Sequence, residues 1–186
     1  MPRRKNDAYY TPQFLVEKLL EMYDLRLHDH CIILEPCVGN GAIANVLMAY
    51  INYHEDGELI TNDIDKSVDA SGHQDAIELL KDLNDDYENH PDWIITNPPF
   101  NLAHQIVPLA YNCAKQGIIM LLRLSWLEPC RNRCDFLKAH PPTKLIVCPR
   151  VSFTGDGKSD SCTCAWFIWD KRHSALINNP PIDFIV

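Results

Sequence analysis

Short unbroken apolar runs alternate along the chain with segments whose apolar residues recur at helical spacing. The runs at 31–35 (CIILE), 58–62 (ELITN), 93–96 (WIIT) and 117–123 (GIIMLLR) are too short for helices and read as covered strands of a parallel sheet. Between them, AIANVLMAYI, AIELLKDL and LAHQIVPLAYNCAKQ carry the helical period, the last with a kink expected at Pro108. Upstream, Thr11 and Pro12 have the residue types of a helix cap and first helical residue, and Leu15, Val16, Leu19, Leu20 and Tyr23 continue the pattern, so a helix is predicted over 12–23. Downstream, KLIVCP and CTCAWFIWD read as two further strands around FTGDGKSDS, whose Gly155, Asp156 and Gly157 suit the turn of a long hairpin; the last strand is then antiparallel to its neighbour. The remaining INNPPIDFIV reads as a proline-interrupted tail. Strands alternating with helices predict an α/β fold around a mostly parallel sheet.

Composition narrows this picture. The 186 residues suit a single domain with one core, and 46% hydrophobic with 23% charged residues is the balance of an ordinary globular protein. No run approaches the ~20 apolar residues of a membrane span, and the opening MPRRKNDAYY lacks the apolar run of a signal peptide, so no membrane partner and a cytoplasmic location are expected. Eight cysteines are expected to stay reduced there. Cys130, Cys134 and His140 have neither a C-x-x-C pair nor a second ligand pair beside them, so no metal is expected; Cys162 and Cys164 alternate along a strand as small packing residues. The net charge of −8 opposes general polyanion binding, yet it is unevenly spread: residues 55–92 hold thirteen Asp and Glu against two Lys, whereas residues 115–150 hold seven Lys and Arg against two acids. Any face turned to nucleic acid belongs to the second stretch, unless the two stretches are simply solvated faces of opposite sign.

Three loops carry candidate chemistry. LEPCVGNGA joins a strand to a helix, the position where open α/β sheets bind ligands, but it lacks the G-x-G-x-x-G of a pyrophosphate cradle. Glu35 at the strand's end would repel phosphate and attract an ammonium group, so a cationic small cofactor fits better than a dinucleotide; a purely structural glycine turn is the alternative. Asp63, in TNDID, ends the next strand, where a carboxylate can accept from the vicinal hydroxyls of a ribose. Asp75, in HQDA, precedes a helix and serves either as its N-cap or as acceptor from an adenine amino group. In TNPPF, Pro98 and Pro99 forbid continuation of the strand. The Asn97 side-chain oxygen and the Pro98 carbonyl can then bind the hydrogens of a planar amino group and steer its nitrogen toward an electrophile, and Phe100 offers a face on which a base can stack. The alternative is a strand-ending turn.

Taken in order, YYTP, LEPCVGNGA, TNDID, HQDA and TNPPF resemble the S-adenosylmethionine-dependent amino-methyltransferases, specifically the small phage-type DNA adenine-N6 enzymes of the NPPF class. The resemblance covers roughly the first two thirds of the chain. It implies a Rossmann-like class I methyltransferase fold, with a seven-stranded, mostly parallel sheet ending in an antiparallel hairpin. It implies S-adenosylmethionine as cofactor, held by the counterparts of Tyr10, Thr11, Pro12, Glu35, Pro36, Gly39 and Gly41 about its methionine part, by Asp63 at its ribose and by Asp75 at its adenine. Asn97, Pro98, Pro99 and Phe100 match the catalytic segment. Phe153, in RVSFTG, lies where some members place a second ring against the flipped base, or it packs the hairpin.

The expectation is therefore one domain over 1–186 that flips an adenine out of DNA and methylates its N6 by direct displacement. Roughly 56 residues separate the glycine loop from NPPF and sixteen follow Asp170, which leaves no room for a separate target-recognition domain. Sequence preference would come from loops, with Arg131, Arg133 and Lys138 as candidate phosphate contacts, or from a second subunit, or would scarcely exist; the oligomeric state stays open, a dimer included. The rival readings are methylation of a protein glutamine or an RNA base, and a cofactor-binding module without turnover.

Overall fold

The computed structural model describes residues 10–28, 30–55, 57–131, 133–151, 162–172 and 181–185. In chain order the elements are α1 (Gln13–Met22), β1 (Ile32–Glu35), α2 (Ala42–His54), β2 (Glu58–Thr61), α3 (Ala76–Asp85), β3 (Trp93–Thr96), α4 (Ala103–Cys113), β4 (Gly117–Arg123), α5 (Cys134–Ala139), β5 (Lys144–Val147), β6 (Cys164–Asp170) and β7 (Ile182–Phe184). The strands form a seven-stranded sheet in the order β2-β1-β3-β4-β6-β5-β7. β2, β1, β3 and β4 run parallel, and β6 inserts antiparallel between β4 and β5. This is the Rossmann-like methyltransferase fold, with its antiparallel hairpin at β5 and β6.

Because successive strand side chains point to opposite faces, each buried run feeds two cores. Ile33, Trp93, Ile95, Ile119, Leu121, Trp166 and Ile168 pack against α1 and α2 on one face. Leu34, Ile94, Ile118, Met120, Phe167 and Trp169 pack against α3 and α4 on the other. Where β4 starts between β3 and β6 there is room for nothing larger than glycine: a Cβ on Gly117 would stand 2.3 Å from the Trp169 carbonyl oxygen and 2.7 Å from the Trp93 ring.

Two expectations from the sequence change here. The tail is not merely a tail, since Ile182–Phe184 adds the seventh strand parallel to β5, with Asp183 3.4 Å from the buried Lys144 ammonium. At α1, Pro12 rather than Thr11 occupies the N-cap and no side chain caps the helix, because Thr11 is engaged elsewhere. α4 passes through Pro108 as one helix. The Gly155-Asp156-Gly157 turn and Phe153 lie outside the described residues. Among the described residues, no helix is long and apolar enough to cross a membrane.

Candidate active site

A cavity of about 540 Å³ opens at the carboxyl ends of β1, β2 and β3, and Tyr10, Thr11, Glu35, Gly39, Asp63, Asp75, Asn97 and Pro98 all reach its wall. Five segments separated in sequence thus meet in one cleft. The glycine loop bends through two left-handed residues, Gly39 (φ 58°) and Gly41 (φ 77°), which an L side chain would strain. Gly41 then serves as N-cap of α2. Pro12, Gly41 and Phe100 are not part of this wall.

Glu35 is fully buried at the end of β1, and among the described residues neither carboxylate oxygen has a hydrogen bond of good geometry. Burial, reinforced by the negative charge of Asp63, holds its carboxyl well above the usual range, with only the Ala44 backbone amide acting in the opposite direction. A buried carboxylate without a partner costs free energy that a cation entering the cleft would recover. Burial likewise pushes up the Cys37 thiol, which lines the same wall, and so disfavours its thiolate form.

Asp63 accepts from the Gly39 amide at Oδ2 (2.8 Å) and from the Asp65 amide at Oδ1 (2.8 Å). A carboxylate has about four acceptor sites, so two bonds to vicinal hydroxyls remain within its capacity. Asp75 is the N-cap of α3, its Oδ1 accepting from Ile77 (2.8 Å) and Glu78 (3.2 Å), and it also lines the cleft; both sequence readings of this residue are compatible with its position.

At the strand end of β3, the Asn97 amide nitrogen donates to the Thr11 hydroxyl (3.1 Å). That bond holds the amide plane against Thr11, with the side-chain oxygen on the other limb of the amide. The Pro99 carbonyl accepts from the Leu102 amide (2.9 Å) in the turn into α4, leaving Pro98 as the proline carbonyl outside that turn. Phe100 packs against the core beside α1 and α2, and the Arg123 guanidinium lies over its ring, 4.6 Å from the centroid.

Sequence reasoning missed Asn62. Buried in the turn after β2, its amide nitrogen donates to the carbonyls of Pro36 (3.1 Å) and Gln74 (2.9 Å) while its oxygen accepts from the Gln74 amide (2.9 Å). It thereby holds the loops of Glu35, Asp63 and Asp75 at one spacing. The signal was an Asn where an apolar strand residue would ordinarily continue. Ile64, exposed and lining the cleft beside Asp63, was also missed; nothing in its local sequence distinguishes it from a surface apolar residue.

The basic stretch divides. Arg133 directs its guanidinium at the carbonyls of Ser125 (2.6 Å) and Glu128 (3.2 Å) and at the Cys130 sulfur (3.2 Å), so it braces its own loop rather than standing ready for a phosphate. Lys144 is buried against Asp183. Arg131 and Lys138 remain exposed.

The sequence matches no family model and no curated protein. Its fold does match solved structures. A Listeria monocytogenes protein described as a class I S-adenosylmethionine-dependent methyltransferase is similar at a TM-score of 0.64 and 14% identity, over 97% of this chain and 66% of that one. The methyltransferase subunit of a type I restriction-modification system from Streptococcus thermophilus is similar at 0.63 and 12%, over 92% and 47%. The M protein of the type I restriction enzyme EcoKI follows at 0.59 and 13%, over 90% and 45%. The chain thus spans about two thirds of the first of these proteins and about half of the other two. At such identities the likeness defines the fold.

Proposed function

We propose that this chain is an S-adenosylmethionine-dependent methyltransferase acting on the N6 amino group of adenine in DNA, with the target base swung out of the helix. The observation that carries the reading is the pairing, in one cleft, of a buried Glu35 that lacks a side-chain hydrogen bond of good geometry among the described residues with an Asn97 amide bonded to Thr11. Glu35 supplies the countercharge for an α-ammonium group, and Asp63 accepts from ribose hydroxyls. The cavity volume is within the range of small-molecule sites, ~300–1,000 Å³.

Glu35 and Asp63 would hold S-adenosylmethionine, which would supply an activated methyl group with a neutral thioether as its leaving group. Asn97 and the Pro98 carbonyl accept the two hydrogens of the incoming amino group, pulling its lone pair out of conjugation and aiming it at the methyl carbon. Their dipoles are fixed before the reaction, so they stabilise the positive charge that develops on nitrogen until its proton is lost to solvent. No thiol need act as nucleophile.

The restriction-modification proteins among the structural neighbours favour DNA over other substrates, as does the exposed Arg131 on the cationic stretch. Incubating the protein with labelled S-adenosylmethionine and genomic DNA, then sequencing the modified positions, is expected to reveal N6-methyladenine. Label found by mass spectrometry in protein glutamine or RNA would replace the DNA reading; cofactor binding without transfer to any of the three would leave a binding module.

A further inference from the structure

Hydrogen bonds from two loops of the cleft converge on Asn62 in the turn after β2. Its backbone amide donates to the Glu35 carbonyl (2.9 Å), its backbone carbonyl accepts from the Val38 amide (3.2 Å), and its side-chain nitrogen donates to the Pro36 carbonyl (3.1 Å). These bonds grip the loop that follows Glu35. On the other side the same nitrogen donates to the Gln74 carbonyl (2.9 Å) and the side-chain oxygen accepts from the Gln74 amide (2.9 Å), next to Asp75. Both hydrogens of the side-chain amide are thus used, one for each loop. The segment between Asn62 and Gln74 is closed on itself, with the Asp63 amide donating to the Gly72 carbonyl (3.1 Å) and the Gly72 amide to the Thr61 carbonyl (3.0 Å), so Asp63 and Asp75 are carried on one piece. Asn62 itself does not reach the cleft wall and acts through the loops it joins.

We propose that Asn62 is a positioning residue that sets the separation of the two halves of the cofactor site, Glu35 for the methionine part and Asp63 with Asp75 for the adenosine part. It thereby selects an adenosine and a methionine joined in one molecule over either piece alone. This rests on the functional reading above and assigns the residue through which the site recognises its cofactor as a whole. Two half-sites reinforce each other only when one molecule engages both at once, and a wrong spacing forfeits that gain without harming either half. A buried amide whose donors and acceptor are all engaged holds such a spacing firmly, because a shift of either loop leaves a buried polar group unpaired.

The test compares the whole chain with Asn62→Ala and Asn62→Asp, measuring the affinities of S-adenosylmethionine, adenosine and L-methionine by calorimetry. Ala is expected to weaken the whole cofactor by about tenfold, the scale of one or two hydrogen bonds, while each piece changes by less than about twofold. Asp keeps the shape and the acceptor for the Gln74 amide but turns a negative charge to the Pro36 and Gln74 carbonyls, so its loss is expected to be at least as large. Gly72→Ala, whose Cβ would stand 3.2 Å from the Asn62 side-chain oxygen, presses on the same joint with Asn62 in place. It carries the test, with the same pattern expected, if the other two variants do not fold. Unchanged affinity for the whole cofactor, or pieces weakened as much as the whole, would overturn the proposal and leave Asn62 as a support for the fold. Failure of the unmodified protein to bind S-adenosylmethionine would instead overturn the functional reading itself.

Discussion

Two buried carboxylates at opposite ends of the sheet have opposite surroundings. Asp170, beside Gly117 at the amino end of β4, accepts from Arg172 Nη2 (2.7 Å) and Nε (2.9 Å) and from the Tyr23 hydroxyl. Burial works to raise its pKa, but the hydrogen bonds from Arg172 and Tyr23 prevail and hold it below the usual range. Asp92 at the same end is similarly occupied, by the Ile32 amide (2.9 Å) and the Gln116 side chain (3.1 Å), even though its oxygens lie within 4.8 Å of ligand atoms on His28 and Cys31. Glu35, at the carboxyl end of β1, has no such partner among the described residues. The amino end of the sheet is built to close the fold, and the carboxyl end leaves a buried carboxyl group that a cation can satisfy.

Removing the satisfied carboxylate should do the greater damage to folding. Asp170→Ala strands the Arg172 guanidinium against Trp93 and frees the Tyr23 hydroxyl, so a loss of about 3–5 kcal/mol in unfolding free energy is expected from denaturant titration. A loss below ~1 kcal/mol, the value of an exposed ion pair, would erase the contrast between the two ends.

Asn97→Ala tests the open end from the other side. Turnover is expected to fall by ~10²-fold or more while cofactor affinity by calorimetry stays nearly constant, because the amide acts as charge develops. Equal losses in both would make Asn97 a wall residue only.

Glu35→Gln sharpens the comparison through pH. In the empty protein the raised pKa of Glu35 means that the folded state holds its proton more tightly than the unfolded state. Its contribution to stability is therefore present at low pH and declines as pH rises from the ordinary glutamate range toward the raised value. Asp170 has the reverse sign: its contribution is present above the ordinary aspartate range and is lost as pH falls through its lowered folded value. Glu35→Gln should keep or increase stability, flatten the decline with rising pH, and weaken cofactor binding by ~10-fold, the value of a charge-assisted bond. A stability loss comparable to that of Asp170→Ala would show that Glu35 is a closing group after all.

The smallest effect is expected at the rim. Arg131→Ala should reduce the salt slope of DNA binding by about 0.9 and weaken all sequences alike, whereas Arg133→Ala should change thermal stability more than salt dependence, since its bonds go to its own loop. Identical behaviour of the two variants would put both on the DNA face.

The sequence by itself determined the strands of the central sheet, the glycine turn and the proline-stopped end of β3. Each of those depends on local physics: an apolar period, a left-handed φ that glycine adopts freely, a backbone nitrogen without a proton. It also placed Asp63, Asp75 and Asn97 at strand or helix ends, where loop residues of α/β sheets meet ligands. What it did not reveal were relations between distant segments. Thr11 looks like a cap from its neighbours alone, yet its hydroxyl holds Asn97 across 86 positions. Arg133 looks like a phosphate contact until its loop folds back around it. Ile182–Phe184 is three residues with alternating exposure, and becomes a strand because β5 presents an unpaired edge. That Glu35 lacks a partner among the described residues is legible only once every element around it has been packed, because whether a buried polar group is satisfied depends on all its neighbours at once.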